Sequence, residues 1–463
     1  MTATPDTGSI KTERAPGTSS PTAGKATEST LAIRAEWALL PDGWHQHILI
    51  EVDSTGKILN VGSASGHKAD ISLSTVIPGM INVHSHAFQR KLVGRTQRFS
   101  HPRDDFWSWR TRMYVEVEGL TPHLQRENAT HLYSEMVQNG YTTVCEFQYA
   151  HGAVNRSNAE IPALMAEALI EAGKEIGIRP VLLPVLYQQA GIGEQPPTKD
   201  QRSFVLDTAV YLGLMDHLFE RYGDDETVGL GYAPHSLRAV GYEAIREVVE
   251  HRAANAPLSP LHIHVAEQVR EVNECMLGTG KRPIEWLFTH FNPDSSWCFI
   301  HSTHATKSEL AAIIQAKATI GLCPTTEGDL GDGAFPLAQY VASGGSIGIG
   351  TDSNVCVSPT EELRFLDYQA RILARKRNAF NLDGQMGSGS RLYTWALEGG
   401  RKASGLPVGR LEPGSFADLV ELNAGHPLAQ QCSADELLNA YVYSGGKDMI
   451  KTVWVGGRKL TKA

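Results

Sequence analysis

The chain has 463 residues, of which 41% are hydrophobic and 20% are charged, and this composition excludes a disordered or fibrous protein. Its net charge of −9 predicts no general attraction to nucleic acid or to an anionic membrane, so an anionic substrate needs a local cationic pocket. No apolar run reaches the roughly 18 residues of a membrane-spanning helix. The six cysteines are scattered without a Cys-x-x-Cys pair, which favours a reducing, cytoplasmic location.

Residues 1–29 are mostly Thr, Ser, Gly, Ala and Pro and have no apolar core of a secretory signal, so we predict a disordered tail. From residue 30 the pattern becomes β-like, with runs 47–53 and 57–62 on either side of a Ser-Thr-Gly turn. Similar runs recur at 417–423 and 450–456. Both termini therefore predict one small β-sandwich domain, composed of residues 30–74 and 406–463.

The middle of the chain alternates apolar, β-branched runs with amphipathic helical stretches. The runs are 75–84, 141–147, 179–186, 228–235, 261–264, 297–301, 318–323 and 346–352. Strands that alternate with helices and are buried on both faces form parallel sheets. Eight such units predict an α/β fold, a (β/α)₈ TIM-type barrel over residues 75–405. An open doubly wound sheet is the alternative, but no Gly-x-Gly-x-x-Gly motif begins a helix here.

Polar side chains capable of chemistry follow the carboxyl ends of these runs, where barrel enzymes carry their active sites. His84 and His86 are two residues apart on a strand, so both imidazoles face the same way and can reach one metal ion. His262 and His264 repeat this spacing, and we choose His264 as the ligand because it lies nearer the strand end. Asp352 ends the eighth run, where a turn or helix-cap role is the alternative.

Three imidazoles and one carboxylate suit a single Zn²⁺ ion, and Fe²⁺ or Mn²⁺ also accept this set. A catalytic ion needs a nearby group to move protons. Glu267 lies three residues after His264, and His301 ends the sixth run. Their alternative roles are a solvated acid at a helix start and a core histidine.

These residues together resemble the amidohydrolase superfamily, in particular its single-metal deaminase branch with a β domain built from both termini. The similarity runs from about residue 31 to the end and is carried by residues 78–86, His264, His301, 350–352 and 414–420. Further motifs resemble those members that convert N-formimino-L-glutamate to N-formyl-L-glutamate and ammonia in histidine degradation. These motifs are 84–90, 234–238, 264–268, 301–304 and 322–333.

The resemblance implies a homodimer in which zinc-bound hydroxide attacks the substrate. It implies metal ligation by His84, His86, His264 and Asp352. It implies catalytic proton transfer by Glu267 and His301, with Asp352 orienting or sharing the proton. It implies substrate binding by Gln89, Arg110, Tyr149, His235 and Arg238.

The charge pattern supports an anionic substrate independently of the resemblance. The connection over residues 90–118 is rich in Arg and Lys, and bidentate arginine contacts suit a substrate with two carboxylates. Most of these cations are expected on a solvated surface, and we select Arg110 and Arg238 as substrate contacts. One alternative is a deaminase of guanine, an adenosine derivative or another heterocycle, which needs neither arginine. A non-catalytic barrel is a second alternative, but it predicts missing metal ligands and none is missing.

Overall fold

The computed structural model describes residues 31–98, 101–102, 104–152, 160–380 and 384–460. The predicted tail, 1–29, lies outside the described residues. In the described part of the chain, no helix is long and apolar enough to cross a membrane.

The strands are numbered in chain order. They are β1 Leu31–Leu40, β2 Gly43–Val52, β3 Ile58–Ser63, β4 Ile71–Pro78, β5 Met80–Ser85, β6 Tyr141–Gln148, β7 Arg179–Leu186, β8 Gly229–Leu230, β9 Ala233–Pro234, β10 Leu261–Val265, β11 Trp297–His301, β12 Thr319–Leu322, β13 Ser346–Ile349, β14 Leu419–Leu422, β15 Ile450–Val455 and β16 Arg458–Leu460.

The α-helices follow the same convention. They are α1 Phe106–Val117, α2 Pro122–Gln138, α3 Glu160–Ile176, α4 Thr208–Tyr222, α5 Tyr242–Asn255, α6 Val269–Thr279, α7 Pro283–His290, α8 Lys307–Gln315, α9 Pro324–Leu330, α10 Leu337–Ala342, α11 Pro359–Ala374, α12 Ser388–Ser404 and α13 Ala434–Ala440.

The two ends of the chain form one small β domain, as predicted, and its described strands make a single separate sheet where the sequence analysis expected a sandwich. Its strand order over the described residues is β16-β15-β14-β4-β1-β2-β3, and antiparallel pairing of β14 with β4 joins the C-terminal strands to the N-terminal ones. Buried apolar side chains such as Ile33, Ile50 and Leu419 form a core cluster on this sheet, separate from the larger core of the barrel.

The middle of the chain forms the predicted parallel barrel of eight strand positions within the described residues. The order is β10-β11-β12-β13-β5-β6-β7-β8, with β9 also pairing with β7. The fourth position is divided into the short strands β8 and β9, and a parallel bridge from Tyr232 to Leu261 connects it to β10. The strands are almost completely buried, which explains their continuous apolar sequence.

The run 75–84, predicted as one strand, is two strands in different sheets. The chain leaves the small sheet after Pro78, and at Gly79 its N–H donates to the carbonyl of Asp418. At Met80 it joins the barrel beside β6. A Cβ atom at Gly79 would lie 2.2 Å from the side chain of Thr142, so only glycine fits at this crossing. The run is mostly apolar because its residues in both strands are buried.

Candidate metal centre and active site

Four side chains converge at the carboxyl ends of the first, fifth and eighth barrel strands. The Nε2 atom of His84 lies 3.1 Å from Nε2 of His86 and 2.9 Å from Nε2 of His264. Oδ1 of Asp352 lies 3.1 Å from Nε2 of His86 and 3.7 Å from Nε2 of His84. All four side chains are buried. The predicted ligand atoms therefore surround one point.

Backbone bonds between the first and last barrel strands align these residues. The Asp352 N–H donates to the carbonyl of His84, and the His86 N–H donates to the carbonyl of Asp352, at 2.9 and 3.0 Å. Gly350 allows this close approach, because a Cβ atom there would lie 2.8 Å from the His84 backbone. Asp352 itself adopts a left-handed backbone with φ of 47°, which turns its side chain away from regular strand geometry.

Backbone carbonyls select the tautomer of two imidazoles. The Nδ1–H of His86 donates to the carbonyl of Phe147, and that of His264 donates to the carbonyl of His235. Since a carbonyl only accepts, each Nε2 carries the lone pair that a metal requires. Burial and neighbouring histidines hold the pKa of His84 and His264 well below its usual range, so these rings are neutral at neutral pH.

The donor chemistry of this cluster fits a divalent cation. Nitrogen donors about 2.0–2.1 Å from a tetrahedral Zn²⁺ are about 3.4 Å apart, close to the separations of the histidine nitrogens. His262 does not join the cluster, because its Nε2–H donates to the carbonyl of Ala403 at 2.8 Å. The buried atoms of His301, Cys323 and Asp352 also approach one another. Burial raises the pKa of the Cys323 thiol well above its usual range, so without a bound cation this second group presents a neutral thiol.

Glu267 and His301 lie beside the cluster. Nε2 of His301 is 3.7 Å from Oε1 of Glu267 and 3.7 Å from Oδ2 of Asp352. Burial alone would lower the pKa of His301, but Glu267, a hydrogen bond to Glu327 and the charge of Asp352 together raise it to about 10. In the absence of a bound cation, the ring is therefore an imidazolium whose Nε2–H faces two carboxylates.

Arg238 contacts Glu267 directly, a partner that the sequence did not reveal. Its Nη2 donates to Oε2 of Glu267 at 2.6 Å, and both side chains are about 95% buried. Burial opposes the charge of Arg238, but Glu267 and Glu271 more than offset this and raise its pKa. Its Nε–H has no hydrogen-bond partner in the described residues. This nitrogen lies 3.8 Å from Oε2 of Glu271, so the guanidinium faces two buried carboxylates.

A cavity opens onto this centre, and all of the predicted substrate contacts line it. They are Gln89, Arg110, Tyr149, His235 and Arg238. Gln89 donates from Nε2 to the hydroxyl of Tyr149 at 2.6 Å, and its own oxygen has no partner among the described residues. Burial, Arg238 and nearby cations hold the pKa of His235 well below its usual range, so its ring is neutral.

Helix α1 forms one wall of the cavity and carries Arg110. Asp105 caps this helix by accepting from the N–H groups of Trp107 and Ser108. The guanidinium of Arg110 lies 4.5 Å from the ring centre of Trp107 and 5.7 Å from that of Tyr114. No carboxylate in the described residues forms an ion pair with it. A partly buried cation is thus available at the cavity wall.

Comparison with known proteins agrees with this geometry. A model of the amidohydrolase family matches residues 75–460. The chain belongs to the amidohydrolase family. Among its amidohydrolase relatives, a formimidoylglutamate deiminase of Pseudomonas aeruginosa is 41% identical over 431 residues, covering 92% of this chain and 94% of that protein.

Two further proteins are similar over most of the chain. The crystal structure of an amidohydrolase from Brucella melitensis has a TM-score of 0.86 and 36% identity, and the match covers 93% of this chain and 94% of that one. A 5-methylthioadenosine/S-adenosylhomocysteine deaminase of Natronomonas pharaonis is 28% identical, with 94% of this chain and 93% of that protein covered.

Three buried glutamates of this amidohydrolase that support the site were not assigned from the sequence. Glu146 accepts from the N–H of Ala87, directly after the His84-Ser85-His86 segment. Glu271 accepts from the N–H groups of Ala266 and Glu267 and so fixes the loop after β10. Glu327 contacts His301. Glu271 and Glu327 lie in the first turn of the helix that follows a barrel strand, which is also the pattern of an ordinary helix-start acid, whereas Glu146 lies within β6.

Proposed function

We propose that the chain is a metal-dependent hydrolase that converts N-formimino-L-glutamate and water into N-formyl-L-glutamate and ammonia, a step of histidine degradation. The main observation that supports this substrate is Arg110, a cation in the cavity wall that forms no ion pair with a carboxylate among the described residues. The 41% identity to a formimidoylglutamate deiminase over nearly the full length supports the same substrate. A substrate with two carboxylates suits a pair of guanidinium groups in an otherwise acidic protein.

In this proposal, His84, His86, His264 and Asp352 hold one Zn²⁺ ion per subunit. The bound ion supplies a Lewis acid that lowers the pKa of a water molecule toward about 7. The carbonyl bonds to Nδ1 keep the lone pairs of His86 and His264 directed at the ion without rearrangement. The neutral state of the buried rings favours binding, because a protonated histidine cannot ligate.

Glu267 moves the proton of the reaction. Its Oε2 is held by Arg238, which leaves Oε1 on the side of His301 and Asp352. Glu267 takes a proton from the attacking water as the water oxygen bonds to the formimino carbon. It then delivers this proton to the terminal nitrogen. The second proton of the same oxygen passes through Asp352 and Glu267 to that nitrogen as its bond to carbon breaks, so the oxygen becomes the formyl carbonyl and ammonia leaves.

His301 and Asp352 complete the proton-handling group. The Nε2–H of His301 faces the space between Glu267 and Asp352 and can donate to an oxygen on which negative charge develops. Gln89, Tyr149 and His235 line the same cavity as Arg110 and orient the substrate.

A heterocycle such as guanine or adenosine is the competing substrate class. The test is ammonia release from N-formimino-L-glutamate, guanine and adenosine, each with and without a chelator. We expect turnover of the first substrate alone and loss of activity with the chelator. Faster release from either heterocycle would contradict the proposal.

Arg110→Met provides a sharper test of the substrate class. Loss of a charged hydrogen bond of about 1.5–3 kcal/mol should raise KM for N-formimino-L-glutamate roughly 10- to 100-fold. Arg112→Met is the matched control on the same helix, because Arg112 is paired with Asp104. An unchanged KM in Arg110→Met would exclude the arginine from substrate binding.

We also propose that the protein is a homodimer in the cytoplasm. All six cysteines are free, which fits a reducing compartment. Helix α11 exposes four large apolar side chains within nine residues; these are Phe365, Tyr368, Ile372 and Leu373. Antiparallel packing of two copies of α11 would place Glu361 at its start near Arg375 and Lys376 of the second copy. This charge complementarity favours a second copy as the partner.

A further inference from the structure

The motif at residues 322–333 lies at the end of the seventh barrel strand and contains no residue with a role in the proposed reaction. It includes the end of β12 and the whole of α9. Two of its carboxylates are buried, with Glu327 completely inaccessible and Asp332 only 4% exposed. Each has one oxygen without a hydrogen-bond partner in the described residues. Buried carboxylates are costly, so their placement beside His301 calls for a function.

Glu327 contacts Nδ1 of His301, whereas Nε2 of this ring lies near Glu267 and Asp352. Its Oε1 lies 3.2 Å from Nδ1 of His301 and accepts from the N–H of Cys323 at 2.9 Å. The bond to Cys323 fixes the carboxylate against the start of α9. Because a carboxylate accepts, Nδ1 of His301 carries the proton of this contact.

The backbone does not fix the direction of the His301 ring by itself. His301 and the following Ser302 have φ of 69° and 53°. These values lie in the left-handed region, which residues other than glycine seldom adopt. This turn takes the side chain out of the regular alternation of a strand. A contact to the ring is therefore needed to orient Nε2 between Glu267 and Asp352.

Asp332, near the C-terminal end of the motif, accepts hydrogen bonds from the two neighbouring loops. Its backbone carbonyl accepts from Nε2 of His304 at 2.8 Å, and its carboxylate accepts from the side-chain amide of Gln268. Gln268 directly follows Glu267, and His304 follows His301 by three residues. One segment thus supports both loops that carry the proton-handling residues.

We propose that Glu327 is a positioning residue that holds the imidazole of His301 by Nδ1, so that Nε2 faces the reacting atoms. The assignment rests on the proposed function, in which His301 stabilises developing charge. Glu327 itself does not touch the substrate. The 322–333 motif therefore acts on the chemistry through His301.

The alternative to positioning His301 is a purely structural role, in which Glu327 stabilises the start of α9. A second glutamate allows these two roles to be distinguished. Glu362 is also fully buried and accepts from the N–H and hydroxyl of Thr325 at the same helix start. No contact joins Glu362 to His301 in the described residues. Glu362→Gln is therefore the matched control for support of α9.

The test compares Glu327→Ala, Glu327→Gln and Glu362→Gln in the full-length zinc enzyme. Glu327→Ala should lower kcat for N-formimino-L-glutamate about 10- to 100-fold, as is typical of groups that orient a functional histidine, with KM and zinc content close to those of the wild type. Glu327→Gln should recover part of this loss, since its amide oxygen still accepts from Nδ1–H. The control should show neither change.

The downfield proton NMR signal of the Nδ1–H of His301, assigned by its loss in His301→Asn, provides a reading independent of turnover. We expect it to disappear in Glu327→Ala, to shift in Glu327→Gln and to persist in Glu362→Gln. A wild-type kcat and signal in the Glu327 variants, or equal losses in the Glu362 control, would overturn the proposal.

If the wild type does not hydrolyse N-formimino-L-glutamate, the proposed function fails, while the NMR comparison still decides the position of His301. Should Glu327→Ala not fold, Glu327→Gln carries the test alone.

Discussion

The ion pair between Arg238 and Glu267 gives a prediction for both stability and activity. Arg238→Met keeps most of the aliphatic volume but removes the cation that lies 2.6 Å from Oε2 of Glu267. Glu267 then stays buried without the positive charge of Arg238 beside it, and its carboxylate is no longer held in one orientation. We expect a less stable protein in which the carboxylate of Glu267 is also poorly placed for proton transfer.

The magnitude follows from burial and separation. Two charges about 4 Å apart attract each other by about 4 kcal/mol at an effective dielectric constant near 20. Removing one partner of a buried pair costs about 3–5 kcal/mol of the free energy of unfolding. Glu267→Gln should cost less, because Arg238 still has Glu271 at 3.8 Å. The two changes should therefore be strongly non-additive.

The assay is urea unfolding of the wild type, both single variants and the double variant, all in chelator so that metal binding does not contribute. We expect a coupling free energy of at least about 1.5 kcal/mol, the lower end for close charge pairs. Arg246→Met, which removes surface ion pairs with Glu243 and Glu250, should change stability little. Additivity of the Arg238 and Glu267 changes within about 0.5 kcal/mol would refute the reasoning.

Three further predictions address the proton carrier, the buried histidines and the dimer. Glu267→Gln should retain stoichiometric metal but lose at least about 100-fold in kcat, and near-normal turnover would remove it from its role. Burial, only partly opposed by a bond to the Val185 carbonyl, lowers the pKa of His151 to about 4. The unfolded chain, with a pKa near 6.5, then binds the proton more tightly, so the free energy of unfolding of the metal-free protein should fall by about 2 kcal/mol between pH 7.5 and 5 on account of this residue. Urea titrations of His151→Gln should show a shallower pH dependence, and an identical slope would contradict this. Ile372→Asp with Leu373→Asp should convert a dimer to a monomer in light scattering, and a dimer that persists would exclude this face of α11.

Much of the candidate site could be predicted because its geometry follows from strand periodicity. Residues two apart share a face, and the carboxyl ends of parallel strands share one rim, so His84, His86, His264 and Asp352 were expected near one another. The choice of His264 over His262 followed from its position nearer the strand end. The assignment of catalytic and substrate-binding roles stays a prediction until the variants are measured.

Other features depend on contacts that no local pattern encodes. Arg238 and Glu267 are 29 residues apart, and their pairing requires two loops to meet above the barrel. The change of sheet at Gly79 is hidden inside a continuous apolar run, because strands on both sides of it are buried. Glu327 resembles a helix-start acid, and only its approach to the left-handed His301 distinguishes it.

The most direct test of the central claim is anomalous X-ray diffraction from crystals of the purified enzyme at the zinc absorption edge. We predict one strong anomalous peak per chain at about 2.0–2.2 Å from Nε2 of His84, His86 and His264 and from the carboxylate of Asp352. An ordered site without a peak, or a peak bound instead by His301 and Cys323, would contradict the assignment of the metal centre.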